Sequence, residues 1–188
     1  MTTTHEPLPS RGGRLDRRGA LGGLLVSGLA LAAAGEARAE AVEGAVRPED
    51  EAFMRMAIAE AAQGDKPFGA LIVRDGEIVV RSRNLGRTTN DPTAHAEMLA
   101  LRRFCDVHPA EAMKGATLYA SGEPCAMCMS AIVWCGIGRV VFAAPIERMA
   151  AKLGQIMVPC TEDAARTPFA RIEITGGLLA DEAMALFD

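Results

Sequence analysis

Aromatic side chains are scarce in this 188-residue chain: one Trp, one Tyr and six Phe make up 4% of it. No stacking platform for single-stranded nucleic acid is visible. The core must instead be assembled from Ala, Leu, Ile, Val and Met, within a hydrophobic content of 49%. Basic clusters are also missing, since beyond Ala39 the cationic groups are no larger than pairs such as Arg102-Arg103. With a net charge of −4, that argues against nucleic acid as a partner. No apolar run reaches the roughly 20 residues needed to span a bilayer. The length and the 23% charged content are those of one soluble globular domain rather than a disordered chain.

The N-terminus carries an address. Arg17-Arg18 precedes an uncharged run from Ala20 to Ala34, then Ala37-Arg38-Ala39. A charged region, a modest apolar region and a small-x-small cleavage site stand in the order an export signal requires. The paired arginines, with the glycines between Gly19 and Gly28, are expected to be a twin-arginine signal over residues 1–39, with the folded domain over 40–188. A periplasmic or secreted location follows. The alternatives are a retained anchor and a cytoplasmic protein with an idle leader. Loss of residues 1–39, with five arginines against three acids, takes the net charge from −4 to −6.

Further along, Pro48-Glu49-Asp50 predicts a helix start, followed by Phe53, Met54, Ala57, Ile58 and Ala61 at helical spacing. Leu71-Ile72-Val73 and Ile78-Val79-Val80 flank Asp75-Gly76, a strong hairpin signal that predicts two antiparallel strands. Thr93 is expected to cap a helix from Ala94 to about Phe104. Strands over 116–121 and 139–143 around a helix over 125–135 form a βαβ unit, which requires a parallel pair. Residues 171–175 predict a fifth strand and 180–187 a closing helix. The stretch 147–167 is weakly patterned and is expected to lend a loop to the pocket.

Chemistry concentrates in two short strings. His95-Ala96-Glu97 opens one predicted helix, and Pro124-Cys125-Ala126-Met127-Cys128 opens another. Cysteines three apart at a helix start share a face, and the positive helix end favours thiolates. One His and two Cys leave a tetrahedral zinc one corner short, the mark of a catalytic rather than a structural site. Zinc lowers the pKa of a bound water from 15.7 to about 7, and Glu97 is the natural proton carrier beside it. A C-x-x-C pair alone would equally suit a redox motif or half a structural zinc site. A structural site would want Cys105, Cys135 or Cys160 as a fourth ligand, none of which has ligand spacing. Those three thiols allow at most one intramolecular disulfide.

Pro67-Phe68-Gly69-Ala70, Asn84, Asp91-Pro92-Thr93-Ala94-His95-Ala96-Glu97 and Glu123-Pro124-Cys125-Ala126-Met127-Cys128 resemble the cytidine deaminase superfamily, in its branch of bacterial guanine deaminases and tRNA adenosine deaminases. The resemblance covers about 50–187. It implies a three-layer α/β/α fold with a mixed five-stranded sheet and helices on both faces, and one zinc per subunit on His95, Cys125 and Cys128. It further implies Glu97 as the proton shuttle, Asn84 as a hydrogen-bond partner of the substrate, Phe68 and Ala70 in the pocket wall, and Trp134 near the substrate. It also implies a homodimer acting on a small nucleobase or nucleoside, guanine first; removal of the signal is expected to leave no membrane association. The chain departs from both relatives. Leu153-Gly154-Gln155-Ile156-Met157 lacks the carboxylate that guanine deaminases bring to the purine's 2-amino edge. The acidic end Asp181-Glu182 to Asp188 lacks the basic residues of the tRNA enzymes. A tRNA adenosine deaminase and a non-catalytic, zinc-stabilised binding domain remain as alternatives.

Overall fold

Alternation along the strands decides how the layers form. Successive side chains of a strand point to opposite faces, so Leu118 and Ala120 join one apolar layer while Tyr119 between them joins the other. The computed structural model describes residues 41–154, 159 and 171–188, all within the unit spanning 36–188. The expected signal at 1–39 lies outside the described residues, as do 155–158 and 160–170.

The elements are β1 (Ala41–Glu43), α1 (Asp50–Ala61), β2 (Gly69–Arg74), β3 (Glu77–Arg83), α2 (Ala96–Val107), β4 (Thr117–Gly122), α3 (Ala126–Trp134), β5 (Arg139–Ala144), α4 (Ile146–Leu153), β6 (Ile172–Thr175) and α5 (Ala180–Met184). The strands lie in the order β1-β6-β5-β4-β2-β3. β2 pairs antiparallel with β3 and β4, and the remaining pairs are parallel. The mixed α/β/α architecture of the deaminases is thus present, with β1 as a short sixth strand beyond the five expected. β1 carries no alternating pattern of its own and exists by pairing with β6, Ala41 opposite Ile172.

Helices α2 and α3 cover one face, where Phe104, Met129 and Ile132 meet Ile72, Leu118 and Val140. α1, α4 and α5 cover the other through Met54, Met149 and Met184. Asp75 (φ 52°) and Gly76 (φ 78°) form the β2–β3 turn, the doubly left-handed geometry that tight hairpins demand.

Two expectations are corrected. Thr93 does not cap α2: its N–H and hydroxyl both donate to Asp91 Oδ1, at 2.8 and 2.6 Å. That closes a side-chain turn before the helix, and His95 takes the N-cap position. The weakly patterned stretch 147–167 starts as a helix rather than a loop, because Ile146, Met149 and Leu153 recur as one helical stripe on α4, and beyond Gly154 only residue 159 of it is among the described residues.

A buried polar network ties the first turn of α1 beneath the sheet. Arg139, 3% exposed, donates to both Asp50 oxygens at 2.7 and 2.8 Å, to Glu173 at 2.9 Å and to Thr175 Oγ1 at 3.1 Å. Tyr119 donates its hydroxyl to Asp50 Oδ1 at 2.7 Å. Burial alone would raise the Asp50 pKa, but Arg139, the Arg47 N–H and the Tyr119 hydroxyl together hold it below 3.8.

Candidate active site

Two helix starts converge beside the carboxyl end of β4. His95 is the N-cap of α2 and Cys125 the N-cap of α3, both with extended backbone. Their side chains therefore leave the helix ends rather than the helix flanks. Cys128 lies one turn into α3 and is fully buried. The sulfurs of Cys125 and Cys128 are 3.7 Å apart, and they stand 3.7 and 3.6 Å from His95 Nδ1.

Those separations fit one metal. Zn–S bonds of about 2.3 Å and a Zn–N bond of about 2.05 Å at tetrahedral angles require S···S near 3.8 Å and N···S near 3.6 Å. Among the described residues no fourth His, Cys, Asp or Glu joins the cluster. Cys105 is exposed and Cys135 caps the far end of α3, while Cys160 lies outside the described residues. The donors therefore suit a zinc held at three corners.

The charges at the site follow from burial and crowding. Cys125 is pushed down to about 4, first by the hydrogen bond from Cys128 and then by His95. Cys128, the donor in that bond and deeply buried, is pushed up. His95 is raised by its bond to Cys125. Glu97 sits one residue inside α2 and is 5% exposed. Burial, with the Cys125 charge adding to it, pushes its carboxyl up to about 7.

A cavity of about 310 Å³ opens onto this cluster, lined by His95, Glu97 and Cys125 together with Phe68, Asn84 and Met149. Asn84 follows β3, is 3% exposed, and accepts the Gly86 N–H at 3.1 Å on Oδ1, which fixes the orientation of its amide. Phe68 is braced edge-on by Phe187, with ring centroids 5.5 Å apart. Ala70 is fully buried on β2 opposite Ala120, behind the wall rather than on it. Trp134 ends α3 and is 76% exposed, away from the cavity. Lys66 and Glu123, to which the sequence assigned no role, also border the cavity, as do Met149 and Leu153, which come from the stretch expected to reach the pocket but do so from a helix rather than a loop. The i, i+3, i+7 stripe of α4 was the signal for Met149 and Leu153. Glu123 stood in plain view beside Pro124, but its partner is distant in sequence.

Residues 47–144 match the family model of the cytidine and deoxycytidylate deaminase zinc-binding region. The chain is 43% identical over 99 residues to the guanine deaminase of Bacillus subtilis (strain 168), covering 50% of this chain and 64% of that protein. It is 42% identical over 100 residues to the tRNA-specific adenosine deaminase of the same organism, covering 51% and 62%. The chain thus spans less than two thirds of the length of these curated relatives. A solved structure of guanine deaminase from Nitrosomonas europaea superposes with a TM-score of 0.59 at 27% identity, covering 81% of this chain and 88% of that one.

Proposed function

The chain belongs to the cytidine and deoxycytidylate deaminase family, and from that premise we propose that it hydrolyses an exocyclic amine from a nucleobase, nucleoside or similar heterocycle, releasing ammonia. The observation that carries this reading is the His95, Cys125 and Cys128 donor triangle at tetrahedral spacing, with the buried Glu97 carboxylate in the same cavity. His95, Cys125 and Cys128 would hold the zinc. When bound, zinc supplies acidified water at neutral pH. Glu97, with a carboxyl near 7, would carry one proton of the attacking water to the ring nitrogen and then the second, taken from the hydroxyl added to the ring carbon, to the departing amine. The balance is one water consumed, one ring carbonyl formed and one ammonia lost. Asn84 presents an oriented amide to the ring, and Phe68 packs against it. Ala70 supports this wall from β2, and Trp134 is assigned to the subunit surface rather than to the substrate.

A free purine is the first substrate we propose. A cavity of about 310 Å³ has room for a bicyclic base, and likeness to a guanine deaminase supports that class. Likeness to a tRNA-specific adenosine deaminase supports a second reading, in which the base arrives on RNA. The partner is proposed to be a second copy of the chain. Trp134 at 76% and Val107 at 69% exposure, at the ends of α3 and α2, leave apolar surface on the helical layer that a homodimer would cover. Residues 1–39 are proposed to export the folded protein.

One panel tests the activity: the zinc-loaded protein is assayed for ammonia against guanine, adenine, cytosine, their nucleosides and aminated pterins. Release is expected with at least one amine. Glu97→Ala is expected to abolish it, by roughly 100-fold or more, with zinc still bound. Activity retained in that variant refutes the mechanism. Tight, salt-dependent RNA binding with no turnover of free bases favours the second reading.

A further inference from the structure

One buried carboxylate in the cavity wall is used neither by the metal donors nor by the proton transfer. Glu123 follows β4 directly, is 6% exposed, and borders the cavity next to Cys125. Its Oε2 accepts the backbone N–H of Ile146 at 2.9 Å, and its own N–H donates to the Ala144 carbonyl at 2.8 Å. Ile146 is the first residue of α4, whose N-cap is Pro145 and which has no side-chain cap. The first N–H groups of a helix lack partners within it. Glu123 therefore supplies, across a gap of 23 residues, an acceptor for the first of those N–H groups, one that an N-cap side chain does not reach. Its charge also faces the positive end of the α4 dipole.

What α4 carries makes the contact consequential. Met149 and Leu153 descend from Ile146 into the cavity wall. At Gly122, beside Glu123, an added Cβ would lie 2.7 Å from Met149 Sδ and 3.1 Å from Phe68 Cε1. The missing side chain at Gly122 lets Met149 and Phe68 close together, and the next residue pins the helix that bears Met149. We propose that Glu123 is a positioning residue: by fixing the start of α4 it sets where Met149 stands against Phe68, and so sets the fit of the substrate ring. This rests on the deaminase reading for its substrate, but the mechanics belong to the fold.

The test uses the zinc-loaded full chain as wild type, Glu123→Ala, Glu123→Gln, Met149→Ala and the Glu123→Ala/Met149→Ala double variant. Hydrogen exchange of peptide 145–154 and KM against kcat for the best amine are read together. Losing a hydrogen bond to a charged group predicts a KM rise of roughly 10-fold or more in Glu123→Ala, with kcat within about 3-fold. Glu123→Gln keeps a carbonyl acceptor and is expected to restore KM to within about 3-fold of wild type. Exchange over 145–154 accelerates in the Ala variant and not in the Gln variant. The double variant is expected to fall short of additivity, because both changes act through the position of Met149. Wild-type KM or wild-type exchange in folded Glu123→Ala overturns the proposal. So does strict additivity, or loss of zinc in that variant, which would assign Glu123 to the cysteine loop instead. If Glu123→Ala does not fold, Glu123→Asp, which withdraws the carboxylate by one methylene, gives the same comparison. A wild type that releases no ammonia sinks the deaminase reading alone. Exchange, with calorimetric affinity for guanine and adenine in place of KM, still decides Glu123.

Discussion

A carboxylate taken out of water must be fully partnered or protonated, and Asp50 takes the first course. Its two oxygens receive Arg139, Tyr119 and the Arg47 N–H. Asp50→Ala leaves the Arg139 guanidinium buried opposite nothing, and a broken buried pair costs about 3–5 kcal/mol. Urea unfolding of the zinc-loaded wild type and variant measures it, and coincident midpoints would refute the account. The pH dependence has a definite sign. The folded pKa of Asp50 lies below 3.8, so its contribution is present above that pH and disappears as the pH falls through the folded value. The gap between wild type and variant is therefore expected to close in acid. Residues of this kind set the limit of sequence reading. His95, Glu97, Cys125 and Cys128 were legible because each pair is local, two or three positions apart at a helix start. Asp50 reads only as an acid in a first turn, because the arginine that gives it meaning is 89 positions away. Glu123 is hidden by the same distance effect.

At the scale of elements, the β2–β3 hairpin was the most legible feature, since two β-branched runs around Asp75-Gly76 leave one short connection. Its turn holds Gly76 at φ 78° with open space where a Cβ would go. Gly76→Ala therefore meets no clash and carries only the backbone penalty of a left-handed side-chain residue, about 1–2 kcal/mol. Thermal melting is expected to shift by that amount while zinc content and ammonia release stay at wild-type levels. A larger loss, or loss of zinc, would mean that the hairpin braces the site directly. Elements defined by partners rather than by pattern were the ones missed or misplaced. β1 is three residues long and is a strand only because β6 lies beside it. The start of α2 moved from Ala94 to Ala96 because Asp91 captured the hydroxyl that would have capped it. The strand order was illegible for the same reason, since periodicity fixes a strand's faces and not its neighbours.

For the whole molecule, the proposed export would have to bring Cys125 and Cys128 into an oxidising compartment with both sulfurs still reduced. A chain threaded unfolded would expose Cys125 and Cys128 to disulfide formation before zinc protects them. Export after folding, the route proposed from Arg17-Arg18, would let the metal bind first. Cleavage after Ala39 would also spare the sheet, because β1 begins at Ala41 and pairs through Glu43 with Ile174. A cut a few residues later would strip that strand from β6. The expected outcome in a bacterial host with a twin-arginine pathway is a periplasmic, zinc-loaded protein whose intact mass places its first residue at Glu40. Replacing both Arg17 and Arg18 by Lys should hold it in the cytoplasm at full length. Cell fractionation with mass spectrometry reads both results. A wild-type chain that stays cytoplasmic with Met1 in place, indistinguishable from the lysine variant, would mean that the leader is not an export signal and that the thiolates never face the oxidant.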